Sequence, residues 1–101
     1  MVTLINQLTV TGSVEEFERV AEELTAYMCR QPGYLGYRTL RSLSKPQVFV
    51  EIAEWESAEA HRAAVMSEGF QSRVRQLAGL VAKPAPDLYE TVREAAPSNA
   101  A

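Results

Sequence analysis

Residues 2–10 alternate between apolar and polar positions. Val2, Leu4, Leu8 and Val10 fall on one side, Thr3, Gln7 and Thr9 on the other, with Ile5 among them, which predicts a strand with one buried face. Asn6 sits midway along that buried face. Thr11-Gly12 breaks the strand. Ser13 then opens a helix, and Glu16, three residues on, completes an S-x-x-E capping box. Val14, Phe17, Val20, Ala21, Leu24, Tyr27 and Met28 recur every three or four residues as a single apolar stripe, and Pro32-Gly33 ends the segment. Two strands follow over 34–43 and 47–55, joined by Ser44-Lys45-Pro46 as an antiparallel hairpin. Ser57 caps a second helix to about Met66. A third helical segment is predicted over 70–81, with Phe70, Val74, Leu77 and Val81 inward. Pro84-Ala85-Pro86 resets the chain before a last strand over 88–93.

The element order β-α-β-β-α-(α)-β predicts an α+β fold of the ferredoxin-like split βαβ type with one four-stranded antiparallel sheet. One domain over 1–93 is expected, followed by a frayed tail over 94–101. The strand over 47–55 is apolar on both faces: Phe49, Ala53 and Trp55 on one, Val48, Val50 and Ile52 on the other. Both faces therefore need cover. Helices supply one cover; the simplest second cover is another copy of the chain, so a homodimer, a dimeric α+β barrel, is expected.

Composition narrows the function classes. The 101 residues are 47% hydrophobic and 23% charged, a globular mixture, with a formal net charge of -3. That charge and the lack of a basic stripe argue against nucleic-acid binding. The lone cysteine, Cys29, excludes an internal disulfide, and one cysteine with one histidine cannot build the usual zinc site within one chain. No apolar run approaches the roughly 20 residues that span a bilayer, and the first residues lack a signal-peptide pattern, so no membrane partner and a cytoplasmic location are expected.

Val2-Thr3-Leu4-Ile5-Asn6-Gln7, the Pro32-Gly33-Tyr34-Leu35 turn, and Ala53-Glu54-Trp55-Glu56-Ser57 followed by Ala60 and Arg62 resemble the antibiotic biosynthesis monooxygenase family. The resemblance spans about residues 2–93 and rests on the whole pattern, since none of the motifs is long. It implies the dimeric α+β barrel and a cofactor-independent oxygenase that converts anthrone-like aromatic polyketide intermediates to quinones, with O2 as co-substrate and no metal, flavin or haem. It also implies pocket roles for Asn6 and Trp55. A second family asparagine, four residues before the tryptophan, is replaced here by Glu51; His61 stands where an aromatic is common, and Arg75 matches a helix arginine of some members. Haem-degrading relatives carry an iron-binding histidine where this chain has Val74, so haem chemistry is not expected.

Each candidate has a functional and a structural reading. Asn6 either meets a ligand or is a buried amide satisfied by backbone. Trp55 either stacks on a polycycle or fills the core. Glu51 on an apolar face must be paired, wet or protonated. Its readings are a general base with a raised pKa, an ion pair with Arg38 or Arg75, or exposure through a register shift. His61 either exchanges a proton with Glu51 or substrate, or is a satisfied boundary residue. Tyr27 and Tyr37, like Tyr34 and Tyr89, are phenolic donors or core residues; Arg73 reads as a solvated helix residue and Cys29 as structural. Three functions fit: the oxygenase, a proton-transfer cyclase or isomerase that needs no O2, and a non-catalytic ligand-binding dimer.

Overall fold

The computed structural model describes residues 1–98 and contains one four-stranded sheet in the order β2-β3-β1-β4. The strands are β1 (Val2–Val10), β2 (Tyr34–Arg41), β3 (Val48–Trp55) and β4 (Val81–Tyr89); the helices are α1 (Val14–Met28), α2 (Ala58–Val65) and α3 (Glu68–Val74), followed by a 3-10 turn over Arg75–Leu77. All three strand pairings are antiparallel. The α+β ferredoxin-like fold expected from the pattern is the one found.

Local chemistry explains the element ends. The Ser13 hydroxyl accepts from the Glu16 amide at 3.2 Å, capping α1, while the Glu16 carboxylate turns to Arg19. Ser57 and Ser67 cap α2 and α3 in the same way. The helix face of the sheet carries Phe49, Ala53 and Trp55 from β3 with Leu8 and Val10 from β1, all buried, packed against Phe17 of α1 and Ala64 of α2; Val20 of α1 is buried as well. Gly33 hands α1 over to β2 with φ +86, and a Cβ there would lie 2.5 Å from the Ala60 Cβ. Only glycine fits that turn.

Two boundaries differ from the sequence expectation. The third helix ends at Val74, not near 81, because the turn after it closes at Gly79, whose φ is +81, with the Leu80 amide bonded to the Leu77 carbonyl. Val81 accordingly begins a strand rather than ending a helix. The last strand then runs over Val81–Tyr89, straight through Pro84 and Pro86, instead of over 88–93. Prolines are tolerated there because β4 is an edge strand, bonded to β1 alone. A register shift between Gln7 and Thr9, opposite Lys83 at φ 55, marks a bulge.

Residues 90–98 have no regular secondary structure; 99–101 of the expected tail lie outside the described residues. On the face opposite the helices, Ile5, Val48, Val50 and Ile52 are only partly covered. Among the described residues no helix is long and apolar enough to cross a membrane.

Candidate active site

One row of residues crosses the whole sheet on its helix side. Thr39 of β2 pairs with Glu51 of β3, Glu51 with Asn6 of β1, and Asn6 with Pro86 of β4. The neighbouring rows, Arg41-Phe49-Leu8 and Tyr37-Ala53-Leu4-Leu88, are largely apolar. Strand alternation thus drops a carboxyl and an amide into an otherwise greasy surface.

Above this row lies a cavity of about 620 Å³ between the sheet and the helices, inside the roughly 300–1,000 Å³ range of small-molecule sites. Its floor includes Leu4, Asn6, Leu8, Glu51, Ala53 and Trp55; its walls include Leu24 and Met28 of α1, His61 and Val65 of α2, Phe70 and Val74 of α3, and Leu77. Val74, the residue at the position of the haem-binding histidine expected in haem-degrading relatives, lies here as plain apolar wall. Pro84 and Pro86 close the β4 side.

Glu51 is held on both oxygens. The Tyr37 hydroxyl donates to its Oε2 at 2.9 Å, and Asn6 Nδ2 lies 3.5 Å from Oε1. Thr39 donates in turn to the Tyr37 hydroxyl at 2.9 Å. Burial pushes the Glu51 carboxyl above its usual range; the hydrogen bonds from Tyr37 and Asn6 pull the other way, and the charge of Glu18 adds to the rise. Burial, with the adjacent Glu51 charge, pushes the Tyr37 phenol up to about 12. No ion pair joins Glu51 to Arg38 or Arg75 among the described residues, and the register shift that would have exposed it does not occur.

Asn6 is more committed than its sequence reading implied. Its Oδ1 accepts from the Ala85 amide at 3.0 Å, tying β1 to the proline-rich edge strand, while its amide nitrogen faces Glu51. One N–H of that amide remains for a ligand.

Trp55 is 1% exposed, with Tyr34 and His61 each edge-on to it at ring centroid separations of 5.5 and 5.6 Å. Its indole N–H is buried and meets no acceptor among the described residues. The His61 ring therefore packs on Trp55, and no hydrogen bond joins it to Glu51 among the described residues. Burial pushes its pKa below the usual imidazole value, so the neutral ring is favoured.

Two expected pocket residues sit elsewhere. The Tyr27 hydroxyl pairs with Ser67 Oγ at 2.7 Å, and its ring carries the Arg73 guanidinium at 4.6 Å, joining α1 to α3. Arg75 begins the turn after α3 and is not among the cavity residues. Thr39 and the two prolines also border the site, which alternation within single strands does not reveal. The P-x-P spacing was a usable signal, since residues two apart on a strand share a face.

Among the described residues no group of three or more His, Cys, Asp or Glu is placed to hold a metal ion. What the cavity offers is a raised carboxyl fixed from two sides and a neutral imidazole, within an apolar shell that includes the Trp55 ring. Such a set can bind a flat polycycle and move a proton.

Relatives bear on what that set is for. The deoxynogalonate monooxygenase of Streptomyces nogalater is 37% identical over 79 residues, 78% of this chain and 67% of that protein. The crystal structure of SnoaB, a cofactor-independent oxygenase from the same organism, matches with a TM-score of 0.87 and 34% identity, covering 96% of this chain and 97% of that one. A conserved protein from Methanosarcina mazei Go1 shares the fold alone, with a TM-score of 0.80 at 17% identity over 87% of this chain and 89% of that one. The two Streptomyces nogalater proteins agree with the cofactor-independent monooxygenase expected from the sequence. The family model described as antibiotic biosynthesis monooxygenase matches residues 1–76, and the chain belongs to that family.

Proposed function

We propose that this chain is a cofactor-independent oxygenase that acts on an anthrone-like intermediate of aromatic polyketide synthesis, with Glu51 as its general base. The observation that carries this reading is the Glu51 carboxyl, gripped by Tyr37 and Asn6 in an apolar cavity that also holds Trp55.

The chemistry balances without a cofactor. Electron-rich phenols form enolates that can pass an electron directly to O2. Glu51 takes a proton from the ring CH2; the carbanion reduces O2 by one electron, and the radical pair joins as a C–OO⁻ bond. The proton on Glu51 returns to give the hydroperoxide. Glu51 then removes the second C–H proton, the O–O bond breaks as the carbonyl forms, and the departing hydroxide leaves as water with that proton. The sum is CH2 plus O2 to C=O plus H2O.

The protein has to bind the rings, hold the base and keep bulk water away from the anion. Trp55 packs against the polycycle, and the free N–H of Asn6 offers a donor to a ring oxygen. His61, neutral, supports the indole and exchanges protons with the substrate oxygens. A second copy of the chain covers the outer sheet face at Ile5, Val50 and Ile52, giving the dimeric barrel.

Metal-stripped protein mixed with an anthrone under air is the direct trial. O2 uptake and quinone absorbance should both rise above the buffer rate; no rise defeats the oxygenase reading. A second reading is favoured by Glu51 itself, since an acid–base carboxyl without a redox group also suits ring closure by aldol condensation or isomerisation. Turnover under strict anaerobiosis would select that reading instead.

A further inference from the structure

We infer that Glu51 exchanges its proton with solvent through the Tyr37 hydroxyl and Thr39, by a route that opens between α1 and β2 and is separate from the substrate's cavity. This rests on the reading above that Glu51 is the base. It adds Tyr37 and Thr39 as the residues that reset the base while a polycycle occupies the cavity.

A second hollow, a cleft of about 360 Å³, lies between α1 and β2. Glu18 and Glu22 border it from α1 and Thr39 from β2. Tyr37 and Thr25 line both this cleft and the larger cavity, so they form the partition between the two. A line of hydroxyls crosses that partition. Thr39, exposed on the edge strand, donates to the Tyr37 oxygen at 2.9 Å, and the Tyr37 hydroxyl donates to Glu51 Oε2 at 2.9 Å. The strand register builds this line: Thr39 is the cross-strand partner of Glu51, and Tyr37 lies one row along on the same face.

The other side of Glu51 is a dead end for protons. Asn6 Nδ2 faces Oε1 at 3.5 Å, but an amide N–H donates without taking a proton up, and Asn6 Oδ1 already accepts from the Ala85 amide. His61 packs on Trp55 and has no bond to Glu51 among the described residues. A hydroxyl, in contrast, both donates and accepts, so Tyr37 and Thr39 can hand a proton on. As Tyr37 gives its proton to Oε2 it takes one from Thr39, and solvent water refills Thr39. The same steps in reverse carry a proton out. Because the hops are concerted, no free phenolate forms, which a phenol pushed up to about 12 by burial and the Glu51 charge would resist. Glu18 and Glu22 set carboxylates at the outer end, where they take up and supply protons.

Hydrogen exchange at carbon reads this route without O2. Anthrone is held with the whole chain in deuterated buffer under argon, and NMR follows the loss of its ring CH2 signal. Glu51 removes a proton, the relay replaces it with a deuteron from solvent, and the deuteron returns to carbon. The parent should exchange anthrone faster than buffer does. Tyr37→Phe should lower that rate by roughly tenfold or more. Raising the pH should not restore it, as it would if loss of the Tyr37 bond had only left Glu51 protonated. Oxidation under air should fall less than exchange, since there the proton travels only between Glu51 and substrate. Thr39→Val keeps the shape and the Tyr37–Glu51 bond, so it tests the route even where Tyr37→Phe fails to fold; it should slow exchange, and Thr39→Ser should restore it. Parental exchange no faster than buffer, parental rates in Tyr37→Phe or Thr39→Val, recovery of Tyr37→Phe at high pH, or equal losses of oxidation and exchange each overturn the inference. Failure of O2 uptake in the parent would remove the oxygenase reading and leave a Tyr37-dependent exchange standing.

Discussion

The helix-facing surface of the sheet has two halves built to different ends. At one end Leu8, Val10, Phe17 and Phe49 are all buried, the two phenyl rings 5.0 Å apart, with Val14, Ala21, Leu77 and Val81 packed around them. At the other end Ala53, Trp55 and Ala64 are buried among Val2, Leu4, Met28, Tyr34, Tyr37 and Ala60. The first cluster has no polar side chain to satisfy. The second carries an indole N–H without an acceptor, and the row of Glu51 and Asn6 runs between the two. Close packing stabilises, whereas unfilled volume and unpaired donors cost stability and are kept where something else fills and pairs them. The difference weights the first half toward scaffold and the second toward site, with Leu8, Leu77 and Val81 of the first half reaching the cavity.

Single substitutions should separate these roles. Glu51→Gln keeps the shape and removes the base, so kcat/KM for anthrone oxidation should fall by roughly 10²–10⁴, the usual contribution of a positioned general base. At about pH 4.5, where Glu51 costs little, thermal unfolding should move little. A variant that retains full activity would remove Glu51 from the mechanism. Phe17→Ala should do the reverse, lowering stability by about 3–5 kcal/mol, since it empties the packed end; denaturant unfolding measures this. The activity of molecules that remain folded should be near that of the parent. Trp55→Phe keeps a flat ring and deletes the N–H. Its buried N–H does not reach substrate, so kcat/KM should fall by less than roughly tenfold, through the smaller ring surface left against the polycycle. Stability should fall less than cavity formation alone predicts, because a buried unpaired donor goes too; a loss above about 3 kcal/mol would show that this donor is satisfied in the free protein.

Much of this division is written in the sequence, because it depends on period two. Alternation alone puts Asn6 among Leu4 and Leu8, and Glu51 between Phe49 and Ala53, and these are the faces found. What alternation cannot supply is the pairing across strands. The Tyr37–Glu51 bond needs the β2–β3 register, which brings Tyr37 beside Ala53, one row from Glu51. Without that register, Arg38 and Arg75 were equally plausible partners. His61 shows the same limit: helical spacing places it at the edge of an inward stripe but cannot tell whether Glu51 or Trp55 lies beneath. Tyr27 falls on the α1 stripe, yet its ring is claimed by Arg73 and by the close approach of Gly69, where a Cβ would overlap it. The strand through Pro84 and Pro86 was hidden because a proline's tolerance depends on being at an edge, and edge position belongs to topology rather than to local sequence.

The finest distinction between the two halves lies in how their stability responds to pH. Glu51 has a folded-state pKa above its unfolded value. The folded chain therefore holds its proton longer, and Glu51 takes stability away as pH rises from the ordinary carboxylate range through the raised pKa. His61, lowered by burial, acts in the opposite sense, taking stability away as pH falls from the ordinary imidazole range through its depressed pKa. Each contributes a slope of at most about 1.4 kcal/mol per pH unit. Because the two oppose each other, the parent protein's own profile hides both, and differences between variants expose them. Urea midpoints of Glu51→Gln and the parent should diverge in favour of the variant as pH rises from about 4.5. Phe17→Leu, in a cluster with no titrating side chain, should lie below the parent by a constant offset at every pH. A Glu51→Gln offset that is equally flat would mean that the carboxyl ionises in the cavity as freely as in water, and the two ends of the sheet would then differ in packing but not in polarity.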